Sequence, residues 1–95
     1  MEPNQSESRL AVELSGRVQG VGYRWWACRE ARRLGIRGTV CNLPNGCVEV
    51  HAAGAPEDLA TFIEVLRRGP PSALVSGERQ LPPAAILPRD FRVIP

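Results

Sequence analysis

Three features of the 95-residue sequence predict a single α+β domain. Apolar and polar residues alternate in several short runs, the period of a half-buried strand. Two intervening segments carry apolar residues at helical spacing. Glycines, prolines and an Asn-Gly pair punctuate the boundaries. The resulting order is β-α-β-β-α-β with a short added strand. That is the order of the ferredoxin-like split β-α-β sandwich, in which two helices cover one face of an antiparallel sheet.

Leu10, Val12 and Leu14 alternate with Ala11, Glu13 and Ser15, so the first strand runs to about Val18. Gly20 and Gly22 break the pattern. From there Tyr23, Trp26, Ala27, Ala31 and Leu34 fall on one arc of a helix that ends at Gly35. Glu30 also falls inside that arc and is expected at its rim, because a buried unpaired carboxylate is costly. Residues 36–42 and 47–53 are β-rich runs joined by Leu43-Pro44-Asn45-Gly46, whose Asn-Gly pair predicts a hairpin. Pro56 opens a second helix, with Leu59, Phe62, Ile63 and Leu66 as its core stripe and Gly69-Pro70-Pro71 as its stop. Residues 74–81 and 91–94 can both extend, separated by a proline-rich turn. Residues 1–8 read as a flexible N-terminal tail and residues 9–95 as the domain.

Composition narrows the functional classes. Twelve basic and ten acidic residues leave a net charge of +2, too little for the basic stripe that phosphate-dominated nucleic-acid binding needs. Trp25 and Trp26 lie on a helix, and the third strand, Cys47-Val48-Glu49-Val50-His51, lacks the aromatics by which a sheet of this kind stacks RNA bases. No nucleic-acid partner is expected. No apolar run approaches the roughly 18 residues of a membrane span, and the polar start lacks a signal peptide's hydrophobic region. The expectation is a cytoplasmic monomer with no membrane partner. Cys28, Cys41 and Cys47 have no zinc spacing and cannot all pair, so neither a metal site nor a disulfide framework is indicated.

The informative segment is the turn into the first helix. Gln19-Gly20-Val21-Gly22-Tyr23 leads into a helix N-terminus, where free backbone N–H groups and the positive dipole end favour an anion. Glycines at 20 and 22 permit the positive φ of an anion-binding nest, and Arg24 can grip two oxygens of the same phosphate. The same glycines would also serve a plain strand-to-helix turn with Arg24 solvated. Asn42 ends the second strand, where from its position alone its carboxamide reads as a cap on its own backbone. His51 is out of phase with Val48 and Val50, points to the sheet's open face and has no catalytic role assigned.

The nine-residue run Gly16-Arg17-Val18-Gln19-Gly20-Val21-Gly22-Tyr23-Arg24 resembles the signature loop of the acylphosphatase family. The second family block follows as Gly38-Thr39-Val40-Cys41-Asn42, then Leu43-Pro44-Asn45-Gly46-Cys47-Val48-Glu49. The resemblance implies hydrolysis of acylphosphates to a carboxylate and inorganic phosphate, without a cofactor or a metal. It places the phosphate-binding arginine on Arg24, the cradle on Gln19, Gly20, Val21, Gly22 and Tyr23, and the water-orienting asparagine on Asn42. Thr39 and Cys41 depart from the family's usual aromatic and basic residues, which bears on packing and acyl-group preference. The partner expected is therefore a small-molecule acylphosphate. A phosphate-holding module serving a separate protein is the competing class.

Overall fold

The computed structural model describes residues 7–95. In chain order its elements are β1 (Ser8–Arg17), α1 (Tyr23–Arg33), β2 (Arg37–Asn42), β3 (Val48–Gly54), α2 (Pro56–Arg68), β4 (Leu74–Gln80) and β5 (Phe91–Ile94). The fold class is the α+β, ferredoxin-like one, with strand order β4-β1-β3-β2-β5. One detail of the expected sheet is corrected: it is mixed, because β5 pairs parallel to β2 while the other neighbours are antiparallel. The chain path explains this. β4 ends opposite Val12, towards the end of the sheet where β1 and β2 begin. The connection over residues 81–90 stays at that end, so β5 starts beside Gly38 and runs in the direction of β2.

That connection is fastened by arginines. Arg9 donates to the carbonyl of Ala84 at 3.1 Å, and Arg37 donates to those of Leu87 and Pro88 at 2.9 and 3.1 Å. Both arginines are register neighbours of Ala53. Glu7 accepts a forked pair of bonds from Arg37 at 2.9 and 3.1 Å, and Ser8 already belongs to β1. The remaining residues of the expected tail, 1–6, lie outside the described residues.

The core follows the sequence periods. Leu14, Val40, Val48 and Val50 of the sheet meet Tyr23, Ala27 and Ala31 of α1 and Leu59, Phe62 and Leu66 of α2. Phe62 and Phe91 pack edge to face at 5.7 Å between centroids, a favoured aromatic geometry. Trp26 and Ile63 are only half-buried and pack against this core from its margin. Glu30 is likewise half-buried, and its carboxylate takes a 2.6 Å contact from Arg33 one helical turn on. β3 alternates as expected: Val48, Val50 and Ala52 face the helices, while Glu49 and His51 face away.

Candidate active site

Topology brings the singled-out residues to one end of the molecule. β1 and β2 run the same way, since both are antiparallel to β3. α1 returns in the opposite direction, so its N-terminus stands at the end where β2 finishes with Asn42. Val40 and Val48 face the core, and Asn42, two residues beyond Val40 and opposite Val48, points to the same side as α1.

The loop between β1 and α1 is held by its apolar residues and open at its glycines. Val18 is buried, Val21 packs on the core, and the buried Tyr23 donates its hydroxyl to the carbonyl of Leu66 at 2.6 Å. Burial pushes the Tyr23 phenol above its ordinary pKa, so it stays a neutral donor. Gly20 and Gly22 adopt φ of 76° and 78°, and a Cβ added to either would meet nothing within 4 Å. Glycine is therefore required there for backbone conformation rather than for lack of room. Gly22 is the N-cap of α1; no side chain caps the helix and no acidic residue occupies its first turn. The first intrahelical bond is donated by Trp26 to Gly22 at 3.1 Å, which leaves the amides of residues 22–25 without intrahelical acceptors. Such an uncapped end, with nearby space, is suited to a tetrahedral anion.

Arg24 stands on this first turn, half-buried. Its Nη1 reaches the carbonyl of Ile94 at 3.5 Å, the outer limit of a hydrogen bond. Among the described residues no carboxylate lies within ion-pair distance of Arg24, whereas Arg33, Arg37, Arg67, Arg79 and Arg92 each have at least one.

The Gln19 side chain turns to the hairpin. Its Nε2 donates to the carbonyls of Leu43 at 2.9 Å and Cys47 at 2.8 Å, at the mouth of the β2–β3 hairpin. The side chain thus ties the loop to the hairpin, and only the backbone of Gln19 is left to face a phosphate. Tyr23 and Val21, also expected in the cradle, have side chains in the core and likewise offer only their amides.

The hairpin's backbone cap comes from another asparagine. Asn45, not Asn42, performs the backbone cap: its Oδ1 accepts from the Cys47 amide at 3.0 Å, and its Nδ2 donates to Glu13 at 2.8 Å. Asn45 does not take positive φ, so the Asn-Gly pair is not the two-residue turn its sequence suggests. Leu43 to Gly46 form a turn closed by a 3.1 Å bond from the Gly46 amide to Leu43, and Gly46 supplies the positive φ of 91°. The Oδ1 of Asn42 is sealed from solvent and has no donor among the described residues. A buried amide oxygen without a donor is uncommon and asks for an explanation.

The acylphosphatase family model matches residues 10–81. The chain belongs to the acylphosphatase family. A Rhizobium etli acylphosphatase is 49% identical over 85 residues, which span 88% of this chain and 90% of that one. One from Thermococcus kodakarensis is 48% identical over 68 residues, 72% of this chain and 75% of its own. Among solved structures, an acylphosphatase from Coxiella burnetii superposes with a TM-score of 0.82 at 35% identity, covering 95% of each chain. The Bacillus subtilis acylphosphatase gives 0.80 at 28% identity, covering 90% of this chain and 97% of that one. The protein is accordingly an enzyme of the acylphosphatase kind.

On the sheet face away from the helices this acylphosphatase carries a second polar group. His51 Nε2 lies 3.5 Å from Glu49, and Cys41 Sγ lies 3.7 Å from the same carboxylate. Burial, and then the Glu49 charge, pushes the Cys41 thiol up; burial and the Glu13 contact do the same to Cys47. Neither is an activated nucleophile. Among the described residues no three ligating side chains gather as a metal site, and no helix is long and apolar enough to cross a membrane.

Proposed function

We propose that the protein hydrolyses the carboxyl-phosphate anhydride with a backbone cradle at residues 19–23 and Arg24 holding the phosphoryl group, and Asn42 orienting the attacking water. The observation that carries this reading is the pairing, at one end of the fold, of an uncapped helix N-terminus with a strand-ending Asn42 that does not serve as the hairpin's backbone cap. The amides of the first turn and the Arg24 fork would hold the phosphoryl oxygens in the ground state and through a loose transition state. The water forms the new P–O bond, and the bond from phosphorus to the acyl oxygen breaks. Its electron pair leaves on the carboxylate, and the water's proton passes to a phosphoryl oxygen of the substrate. A carboxylate with a conjugate-acid pKa of about 4 leaves without a general acid. Neither a titrating side chain nor a metal is then needed, and positioning with fixed charge suffices. Three free cysteines fit a reducing cytoplasm, and we propose a monomer there.

The test uses benzoyl phosphate, with released phosphate quantified. Arg24→Ala should weaken inhibition by inorganic phosphate and lower turnover together. Asn42→Ala should leave phosphate inhibition nearly intact while slowing the chemical step by roughly 10²–10³-fold, the scale for loss of one preorganised polar group. Near-normal turnover by a folded Asn42→Ala protein would remove Asn42 from the mechanism.

A further inference from the structure

Few large apolar side chains remain exposed among the described residues: Trp25 at 67%, Leu74 at 61%, Ile86 at 88% and Ile94 at 38%. Trp25 is the one on the first turn of α1, beside Arg24. It has no part in packing the helix, because Tyr23, Ala27, Cys28 and Ala31 face the core and Trp26 packs at a tilt against Tyr23, 5.5 Å between ring centroids. Helical side chains lean towards the N-terminus and cover the turn before their own Cα. Trp25 therefore leans over residues 21–22, next to the uncapped amides.

The chemistry gives that position a meaning. In an in-line displacement the attacking water and the leaving group lie on opposite sides of phosphorus. Asn42 belongs to the sheet, beneath α1. The leaving acyl group must then project away from the sheet, towards the face of α1 that its buried residues do not occupy. Trp25 lies on that outer face.

We propose that Trp25 is the acyl-group rest of this enzyme, and that the enzyme favours acylphosphates with aromatic or extended apolar acyl groups over short ones. The inference rests on the phosphate being held at the N-terminus of α1, as proposed above. An indole face left in water gains by covering a flat apolar group, whereas an acetyl group is too small to reach it.

The experiment compares kcat/KM for benzoyl phosphate and acetyl phosphate in the parent protein and in Trp25→Ala, Trp25→Phe and Leu74→Ala. Leu74 is similarly exposed and stands opposite Arg17 at the same end of the sheet, but on the edge strand β4 rather than on α1, so it controls for loss of any exposed apolar group there. Trp25→Ala should lower kcat/KM for benzoyl phosphate about five- to twentyfold and leave acetyl phosphate within about twofold. Trp25→Phe should restore most of the difference, and Leu74→Ala should leave the ratio unchanged. An unchanged ratio in Trp25→Ala, an equal loss on both substrates, or the same shift in Leu74→Ala overturns the assignment. Failure of the parent protein to hydrolyse either substrate would instead overturn the reading of the site on which it rests.

Discussion

Replacing Gln19 by leucine would separate binding from turnover more sharply than any change to the cradle itself. The substitution keeps the side chain's bulk and removes both donors that reach Leu43 and Cys47. Neither carbonyl is left bare, because Leu43 still accepts from the Gly46 amide at 3.1 Å and Cys47 from the Leu43 amide at 2.8 Å. Loss of two such bonds should therefore fall in the lower part of their usual range, about 1–2 kcal/mol together. For a domain of this size that lowers Tm by roughly 5–15 °C. The kinetic effect should be larger in proportion. Asn42 directly precedes Leu43, and a displacement of about 1 Å at a positioned group can cost on the order of 10²-fold in rate. The helix end is fastened separately by the Tyr23 bond to Leu66, so phosphate should still bind. We expect kcat for benzoyl phosphate to fall about 10- to 100-fold while the inhibition constant of inorganic phosphate stays within about threefold. Unchanged kcat at a lowered Tm would show that the hairpin needs no tie to the loop. Phosphate affinity falling in step with kcat would place the Gln19 carboxamide on the phosphate after all.

Three other outcomes follow from the described contacts. Tyr23→Phe removes a buried hydrogen bond and should cost about 1–2 kcal/mol; because the folded phenol titrates above its ordinary value of 10.0, the parent should lose stability as pH rises past about 10, a loss that Tyr23→Phe should not show in alkaline unfolding curves. Glu13, held low first by its bond from Asn45 and then by Arg79, and Glu78, held low by Arg67, should make denaturant stability fall as pH drops below their ordinary 4.5, with Arg67→Met flattening part of that slope. His51→Ala should leave turnover and its pH profile unchanged between about pH 5.5 and 7.5, since the proposed mechanism takes no proton from a side chain; a bell-shaped profile that the substitution abolishes would assign His51 to the chemistry.

What the sequence made legible was what is encoded locally. Alternation placed Leu10, Val12 and Leu14 on the core face, and helical spacing found Tyr23, Ala27 and Ala31, because each period is written in contiguous residues. The positive φ of Gly20 and Gly22 before a helix follows from the same nine-residue run. Gln19 was legible as a member of that run but not as a tie, because its acceptors lie 24 and 28 residues away and no periodicity connects them. Asn45 was hidden for a related reason. Next to Gly46 it reads as half of a two-residue turn, and only the approach of Glu13 from β1 gives its side chain a different task. The direction of β5 depended on which end of the sheet the proline-rich connection follows, which four residues of strand cannot encode.

This division has a physical consequence for the site. The half proposed to bind the anion is a short continuous segment anchored by Val18, Val21 and Tyr23, so it forms whenever α1 docks on the sheet. The half that holds Asn42 depends on two long-range ties, Gln19 to the hairpin mouth and Glu13 to Asn45. Substitutions around the hairpin should therefore erode turnover before phosphate affinity, while those in the loop should erode both. A set of hairpin variants that lose phosphate affinity as readily as turnover would mean that the two halves form one cooperative unit, and that Asn42 contributes to holding the phosphate as well as the water.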